Sequence, residues 1–375
     1  LIRLTVPYID ENEYQAVQGV LKSGFLVQGS NVARFEEEIA RYVGTKYAVA
    51  LSSGTASLHL SLLVSGVKPG DRVAVTAYSW IATANVIELC GAKPLFVDIL
   101  PDTFNLDPDE LVKVLEKELK GKKRTGDIKA VIPVHVFGQV ADMEAIKEVA
   151  DQYNLTIIED AACALGAKWN NRQAGAWGSL GCFSFHPRKA ITTGEGGVIT
   201  TNDNDSYRHI RALRNHGFDA DREPPDFIMP GFNYRLTEFQ GALGIEQLNK
   251  LDQIIASRKE LTSNYNLLLK NTPFKTPFNP LKSDPVYQSY VILLPDSLIE
   301  KREKIIEKLR SKDIETTIGT LHMPLTHYYR KRYGFRPGDF PVTDKISRSS
   351  MTLPIYMGLE KESQEKIVHQ LLELI

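Results

Sequence analysis

Between Tyr47 and Thr201 seven short apolar, β-branched runs alternate with stretches of helical period, and this alternation restricts the possible folds more than any other feature. The runs are Tyr47 to Leu51, Arg72 to Thr76, Pro94 to Ile99, Lys129 to Val134, Leu155 to Glu159, Gly181 to Phe185 and Val198 to Thr201. Helical stretches at Ala56 to Ser65, Ala82 to Cys90, Pro108 to Lys120 and Asp142 to Tyr153 are long enough to act as crossovers, so parallel connections are available. The pattern predicts an α/β fold with a mostly parallel seven-stranded sheet covered by helices.

Two further helices precede the first run. Asp10 with Glu13 three residues on forms a capping-box signature, followed by Tyr14, Val17 and Leu21 on one face and a stop before Gly24. Val32, Phe35, Ile39 and Val43 mark the second, which ends at Gly44. Beyond the runs, one long helical pattern extends from Thr237 to about Leu269, and prolines then become frequent at Pro273, Pro277, Pro280 and Pro285. The segments Val286 to Leu294, Ile299 to Ser311, Ile314 to Thr317 and Lys361 to Leu374 read as a smaller α+β unit. We expect a large domain over residues 1–250 and a small one over 251–375, with residues 1–14 packed on the second. No internal repeat interrupts the pattern.

Composition narrows the partners. A chain of 375 residues, 43% hydrophobic and 24% charged, can bury one large core and a second smaller one. Its 45 basic and 46 acidic residues leave a formal charge of −1, which gives no field to concentrate it on nucleic acid or an anionic membrane, so a small-molecule ligand is expected. Three cysteines, Cys90, Cys163 and Cys182, lack metal-ligand spacing and disulfide-scaffold density; we expect no metal and a reducing compartment, the cytoplasm. Apolar stretches such as Ala130 to Val136 are too short to span a bilayer, and we expect no charged-then-apolar leader.

In open α/β sheets ligands collect beyond the carboxyl ends of the strands, and the loops there carry the chemistry. Ser52-Ser53-Gly54-Thr55-Ala56 opens a helix with small residues and free amides, suited to a phosphate or simply to an N-cap. It is not a P-loop, and no G-x-G-x-x-G fingerprint follows any run. Trp80, in Ala77-Tyr78-Ser79-Trp80, is either a plate for a flat ligand or a core residue. Asp160, ending its run, needs a cation if buried, and a protonated pyridine nitrogen is one; a helix cap is the other reading. The fourth loop joins Ser184 to Lys189, a surface charge or a covalent anchor for a cofactor aldehyde. Together the four loops hold the inventory for pyridoxal 5'-phosphate (PLP).

The motifs SGFLVQG, SSGTASLHLSLL, AKPLFVDI, HVFGQVADMEAI, IEDAACALGA, FSFHPRKAITTGEGG, RNHG and GFNYRLTEFQGALG follow one another along the chain. In that order they resemble the DegT/DnrJ/EryC1/StrS family of sugar aminotransferases, within the fold-type I PLP enzymes. The resemblance implies that Lys189 forms the internal aldimine, Asp160 pairs with the pyridinium nitrogen, Trp80 stacks on the ring, and Gly54, Thr55 and Ser184 hold the phosphate. It implies that Asn233 reaches the phosphate of the neighbouring subunit, which makes the site shared across a homodimer, with the Asn215 to Met229 loop as the arm. Cys163 stands where the family often has glutamine near the cofactor's phenolic oxygen, a departure that removes an amide donor.

By the same resemblance the amino donor is L-glutamate, the cofactor passes through pyridoxamine phosphate (PMP), and the acceptor is a nucleotide-linked keto-deoxysugar in amino-sugar or surface-polysaccharide biosynthesis. The turn K-x-I-T-T-x-E-G-G from Lys189 to Gly197 is similar to that of family members using 4-keto sugars, and this resemblance favours a 4-keto acceptor. Four residues are candidate substrate contacts, each with a plainer reading: His186 and His322 as structural histidines, Glu195 as a turn residue, and Arg235 as half of an ion pair between subunits. His135 reads as a packed strand-end residue, and Arg214, Asn215 and His216 as helix caps. Two other activities belong to related enzymes: a PMP-dependent sugar dehydratase, which has histidine in place of the lysine and so is disfavoured by Lys189, and an inosose-type cyclitol aminotransferase. A non-catalytic regulatory role has no support in residues that keep lysine, aspartate and phosphate loop.

Overall fold

The computed structural model describes residues 1–121 and 126–374. Strands β1 (Tyr47–Leu51), β2 (Arg72–Thr76), β3 (Lys93–Val97), β4 (Ile128–Ile132), β5 (Thr156–Asp160), β6 (Leu180–Ser184) and β7 (Gly197–Thr201) form one sheet in the order β1-β7-β6-β5-β4-β2-β3. β7 is antiparallel to both neighbours and all other pairings are parallel. The other strands therefore end at one edge, where β7 begins. These are the runs read from the sequence, displaced by at most two residues at an end.

Alternate residues of a strand face opposite sides, and both sides here are apolar. Ala48, Ala50, Ala74, Val131, Ile157, Phe183 and Val198 pack with Val32, Phe35 and Ile39 of helix Ser30–Val43. Val49, Leu51, Val73, Val75, Ile132, Ile158 and Ile199 pack with Leu58, Leu60 and Leu62 of helix Gly54–Val64 and with Val86 and Ile87 of helix Ala82–Leu89. The sheet is thus covered on both faces, which leaves its strand-end edge as the place where polar loops gather.

Helix Glu11–Ser23 carries the expected capping box of Asp10 and Glu13. Helix Ser30–Val43 begins at Gly29, which has no side chain to cap it. Glu238, distant in sequence, supplies the cap instead: its carboxylate accepts from the amides of Gly29, Asn31 and Val32 at 2.7, 3.0 and 3.0 Å. The single helix expected from Thr237 to Leu269 is two, Glu238–Asn249 and Leu251–Leu268. Between them Lys250 leaves helical ψ (φ −100°, ψ −6°), and its ammonium reaches Asp10 at 2.6 Å and Glu13 at 2.7 Å. The long loop expected from Asn215 to Met229 contains a short hairpin pairing Phe218–Asp219 with Asp226–Phe227.

A third apolar cluster joins Leu261, Tyr265 and Leu269 to Tyr290, Ile292, Ile305, Met351, Leu353 and Ile367. Its antiparallel sheet pairs Tyr290–Leu293 and Thr317–Ile318 with Ser350–Leu353, so the run Val286 to Leu294 shortens to its second half. Helix Arg302–Ser311, after a 3₁₀ segment, and helix Lys361–Leu372 complete it. The start of the chain lies against it: the Ile2 amide donates to Asp313 O at 2.7 Å, and the Glu315 amide to Ile2 O at 2.9 Å.

Two contacts carry the C-terminal segments to the strand-end edge. Leu321–His322 pairs with Tyr78–Ser79, next to Trp80. Asp98, buried just after β3, caps helix Pro341–Ser349 by accepting from the amides of Val342 and Thr343 at 3.0 and 2.9 Å. Among the described residues no helix is long and apolar enough to cross a membrane.

Candidate active site

The loops after β1, β2, β5 and β6 meet at this edge, with the start of β7 between the first and last of them. Leu51 and Ser184 both pair with Gly197. A Cβ on Gly197 would lie 2.3 Å from Ser53 O, and one on Gly54 would lie 2.8 Å from Ser184 Cβ and 3.2 Å from Ser184 Oγ. Glycine at both positions is what lets the Ser53–Gly54 turn close on Ser184. Ser53 Oγ accepts from the Ala56 amide at 3.1 Å, so the N-cap reading of this loop holds for Ser53. The amides of Gly54 and Thr55, with no acceptor among the described residues, stand at the positive end of the helix beside the Ser184 hydroxyl. That arrangement has the polarity to receive a phosphate.

Trp80 is 65% exposed, which rules out the core reading of this indole. The side chain stands at the mouth of the loops, available to a flat ligand. Asp160 is buried at 4% exposure; its Oδ2 accepts from the Thr83 hydroxyl at 2.7 Å and its Oδ1 from the Ala162 amide at 3.2 Å. Thr83 gives no sign of this in the sequence beyond a hydroxyl in the first turn of a helix. The neighbouring Glu159 points the other way. It accepts from the amides of Gly175, Trp177 and Gly178 at 2.8, 2.7 and 2.7 Å and from His135 Nε2 at 2.9 Å, a wholly buried structural anchor. His135, whose Nδ1 accepts from the Ala141 amide at 3.2 Å, is the packed residue expected.

Lys189 follows a turn closed by its own amide donating to His186 O at 2.8 Å. His186 Nδ1 in turn accepts from the Arg188 amide at 3.2 Å, so this ring helps to shape the turn. Lys189 Nζ donates to Cys163 Sγ at 3.1 Å. Two buried glutamines hold the lysine loop: Gln288 Nε2 donates to Arg188 O, and Gln247 Oε1 accepts from the Thr192 amide at 3.2 Å. Neither has a sequence signal, since each reaches the loop from at least 55 residues away.

The remaining candidates sit differently. Glu195 is exposed, its carbonyl pinned by Thr193 Oγ1 and Gln240 Nε2. Asn233 is exposed, its main chain bridged to Asn215. Arg235 Nη1 donates to Asn215 Oδ1 at 2.5 Å and has no carboxylate partner among the described residues, whereas nearby Arg208 and Arg211 pair with Asp219 and Asp221. Arg214 is not a cap but a buried tie, bonded to Glu36 and, at 2.7 Å, to Ala50 O. His322 is turned into the protein against Phe340, with Nε2 3.0 Å from Asp344 Oδ1; burial lowers its pKa although Asp344 opposes this. Tyr78 is sealed beneath Trp80's loop, its hydroxyl bonded to Ser350 Oγ at 2.7 Å, and burial pushes it up to about 12.

A lysine, a buried carboxylate, an exposed indole and free helix-end amides beside a serine hydroxyl stand on the loops of this one edge, and the sequence matches the DegT/DnrJ/EryC1/StrS aminotransferase family over residues 7–372. The chain belongs to this family. It is 34% identical to the GDP-perosamine synthase of Caulobacter vibrioides, with 98% of this chain and 96% of that protein covered. It is 33% identical to the UDP-2-acetamido-2-deoxy-3-oxo-D-glucuronate aminotransferase of Pseudomonas aeruginosa, covering 92% and 91%. The putative sugar aminotransferase Spr1654 of Streptococcus pneumoniae, solved in PMP and PLP forms, superposes with a TM-score of 0.91 for the PMP form, at 27% identity over 99% of this chain and 98% of that one. The chain is a PLP-dependent aminotransferase with the fold-type I architecture expected from its strand pattern.

Proposed function

We propose that the chain transfers an amino group from L-glutamate to the keto carbon of a nucleotide-linked 4-keto-deoxysugar, toward an amino sugar of a surface polysaccharide, in the cytoplasm. The observation that supports this reading is the set of groups on the loops of the edge that carries Lys189: Asp160 held by Thr83 and Ala162, Gly54 closed on Ser184, and the exposed Trp80. Gly54, lacking a Cβ, lets its loop close on Ser184, and the free helix-end amides beside that hydroxyl support the fit of the cofactor's phosphate to the residues present.

PLP, when bound, supplies an aldehyde that takes up an amine and a ring that accepts electrons. Lys189 Nζ would hold the cofactor's aldehyde and, when free, would move the proton at the substrate carbon as base and then acid. Asp160 keeps the proton on the ring nitrogen, its oxygens oriented by Thr83 and Ala162. Gly54, Thr55 and Ser184 would bind the phosphate, Trp80 would cover the ring, and Cys163 would stand near the phenolic oxygen.

Asn233 completes the phosphate site of a second copy of the chain in a homodimer. Its exposure, and that of Phe25, Val27 and Phe227, supports this. Arg235, which has no carboxylate partner among the described residues, takes an anionic group of donor or acceptor. Residues 1–250 act as the cofactor-binding domain and 251–375 as the smaller one. The relatives named above act on different nucleotides, so the 4-keto assignment rests on the Lys189–Gly197 turn. A turnover screen of nucleotide-linked 3-keto and 4-keto sugars with glutamate tests it: 4-amino products are expected, and turnover of 3-keto sugars or inososes alone would overturn it.

A further inference from the structure

Cys163 differs from the other two cysteines. Cys90 and Cys182 are buried, and burial raises both thiols, Cys90 to about 11 and Cys182 further. Cys163 is partly exposed, and its sulfur is 3.1 Å from the Lys189 nitrogen. Both backbones in this contact are held. The Ala161–Ala164 turn is closed by the Ala164 amide donating to Ala161 O at 2.9 Å, and Cys163 O packs on Gly138, where a Cβ would lie 3.1 Å from it. The lysine loop is clamped by Gln288 at Arg188 O and by Gln247 at Thr192 N. Nitrogen and sulfur meet because the fold sets them together.

We propose that Cys163 and Lys189 are a peroxide-responsive modification site, in which hydrogen peroxide drives a direct, reversible Sγ–Nζ bond that closes the enzyme. The thiol sulfur attacks one peroxide oxygen, the O–O bond breaks, and the departing hydroxide leaves with the thiol proton as water; sulfur is oxidised by two electrons to the sulfenic acid and peroxide is reduced. The Lys189 lone pair then attacks that sulfur. The S–O bond breaks, hydroxide takes a proton from nitrogen, and a second water leaves. A thiol reductant attacks the sulfur of the link, releases the amine and returns the cysteine while its own sulfurs become a disulfide. Peroxide thus blocks, in the cofactor-free chain, the nitrogen that would take up the cofactor, and reductant restores it. The link itself rests on the contact alone; that bound PLP protects against it, by engaging Nζ, rests on the function proposed above.

Cofactor-free and PLP-loaded protein are each treated with hydrogen peroxide, digested without reductant and mapped by mass spectrometry. In the cofactor-free protein the peptides containing Cys163 and Lys189 should be joined, two hydrogens lighter than their sum, and should separate with dithiothreitol. Cys163→Ser should give no joined peptide. Gln288→Ala, which frees the Arg188 carbonyl, should slow the joining several-fold without slowing loss of the Cys163 thiol to peroxide. Oxidation of Cys163 to sulfinic or sulfonic acid with Lys189 untouched, or joining of Cys163 to another residue, would overturn the proposal. Joining that occurs but is not suppressed by loaded PLP would leave the link standing and refute Lys189 as the cofactor anchor.

Discussion

Gly54→Ala tests the phosphate cradle most sharply, because the size of the disturbance can be worked from the geometry. The new methyl carbon would sit 2.8 Å from Ser184 Cβ and 3.2 Å from Phe183 O. Carbon atoms settle about 3.5–4.0 Å apart, so the loop must withdraw by roughly 0.7–1.2 Å. Overpacking of this kind costs about 1–3 kcal/mol. If the displacement falls on the Gly54 and Thr55 amides, PLP should bind about 5- to 150-fold more weakly, at 1.4 kcal/mol per tenfold. Titration of cofactor-free protein with PLP, followed by visible absorbance, measures the loss. Pyridoxal, which lacks the phosphate, serves as the internal comparison and should bind the variant and the parent within about twofold. Equal loss for both ligands, or no loss for PLP, would refute the cradle. Gly19→Ala, where a Cβ meets nothing within 4 Å in the middle of a helix, should instead add about 0.5–1 kcal/mol of stability.

Glu238→Ala should lower unfolding free energy by about 2–4 kcal/mol in urea, since the buried Val32 amide loses its acceptor outright while those of Gly29 and Asn31 are partly rehydrated; a loss below about 1 kcal/mol would show that Glu238 is not the cap of helix Ser30–Val43. Asp160→Asn should reduce kcat on the order of a hundredfold while leaving the far-ultraviolet dichroism intact, and activity within a few-fold of the parent would remove Asp160 from the ring nitrogen. Burial lowers the His322 pKa below its usual 6.5, so the unfolded chain binds more protons and stability falls as pH drops through about 6.5. His322→Asn should flatten that fall in urea midpoint between about pH 7 and 5.5, and an unchanged slope would contradict the buried, neutral histidine.

Local pattern was a sound guide to the sheet because each strand is buried on both faces by its own apolar run, and Asp10 with Glu13 caps its helix within one turn. It failed where the partner is distant. Nothing near Gly29 announces that Glu238 will cap the following helix, and nothing near Thr192 or Arg188 announces Gln247 and Gln288. Helical period continues through Lys250, yet the pull of Asp10 and Glu13 accompanies a break there. The loops of the site were legible as residue types following strands. Which way each side chain turns was not: Trp80 outward, Glu159 into the protein, Asp160 onto Thr83, and His322 onto Asp344.

Everything proposed for the reaction depends on Lys189, and one measurement reaches it directly. Protein loaded with PLP is reduced with borohydride, digested and mapped by mass spectrometry. The pyridoxyl group should be fixed on the peptide containing Lys189 and absent from the whole digest of a Lys189→Ala variant. A pyridoxyl group on any other lysine, or a visible cofactor band in Lys189→Ala identical to that of the parent, would contradict the assignment of Lys189 as the cofactor's anchor.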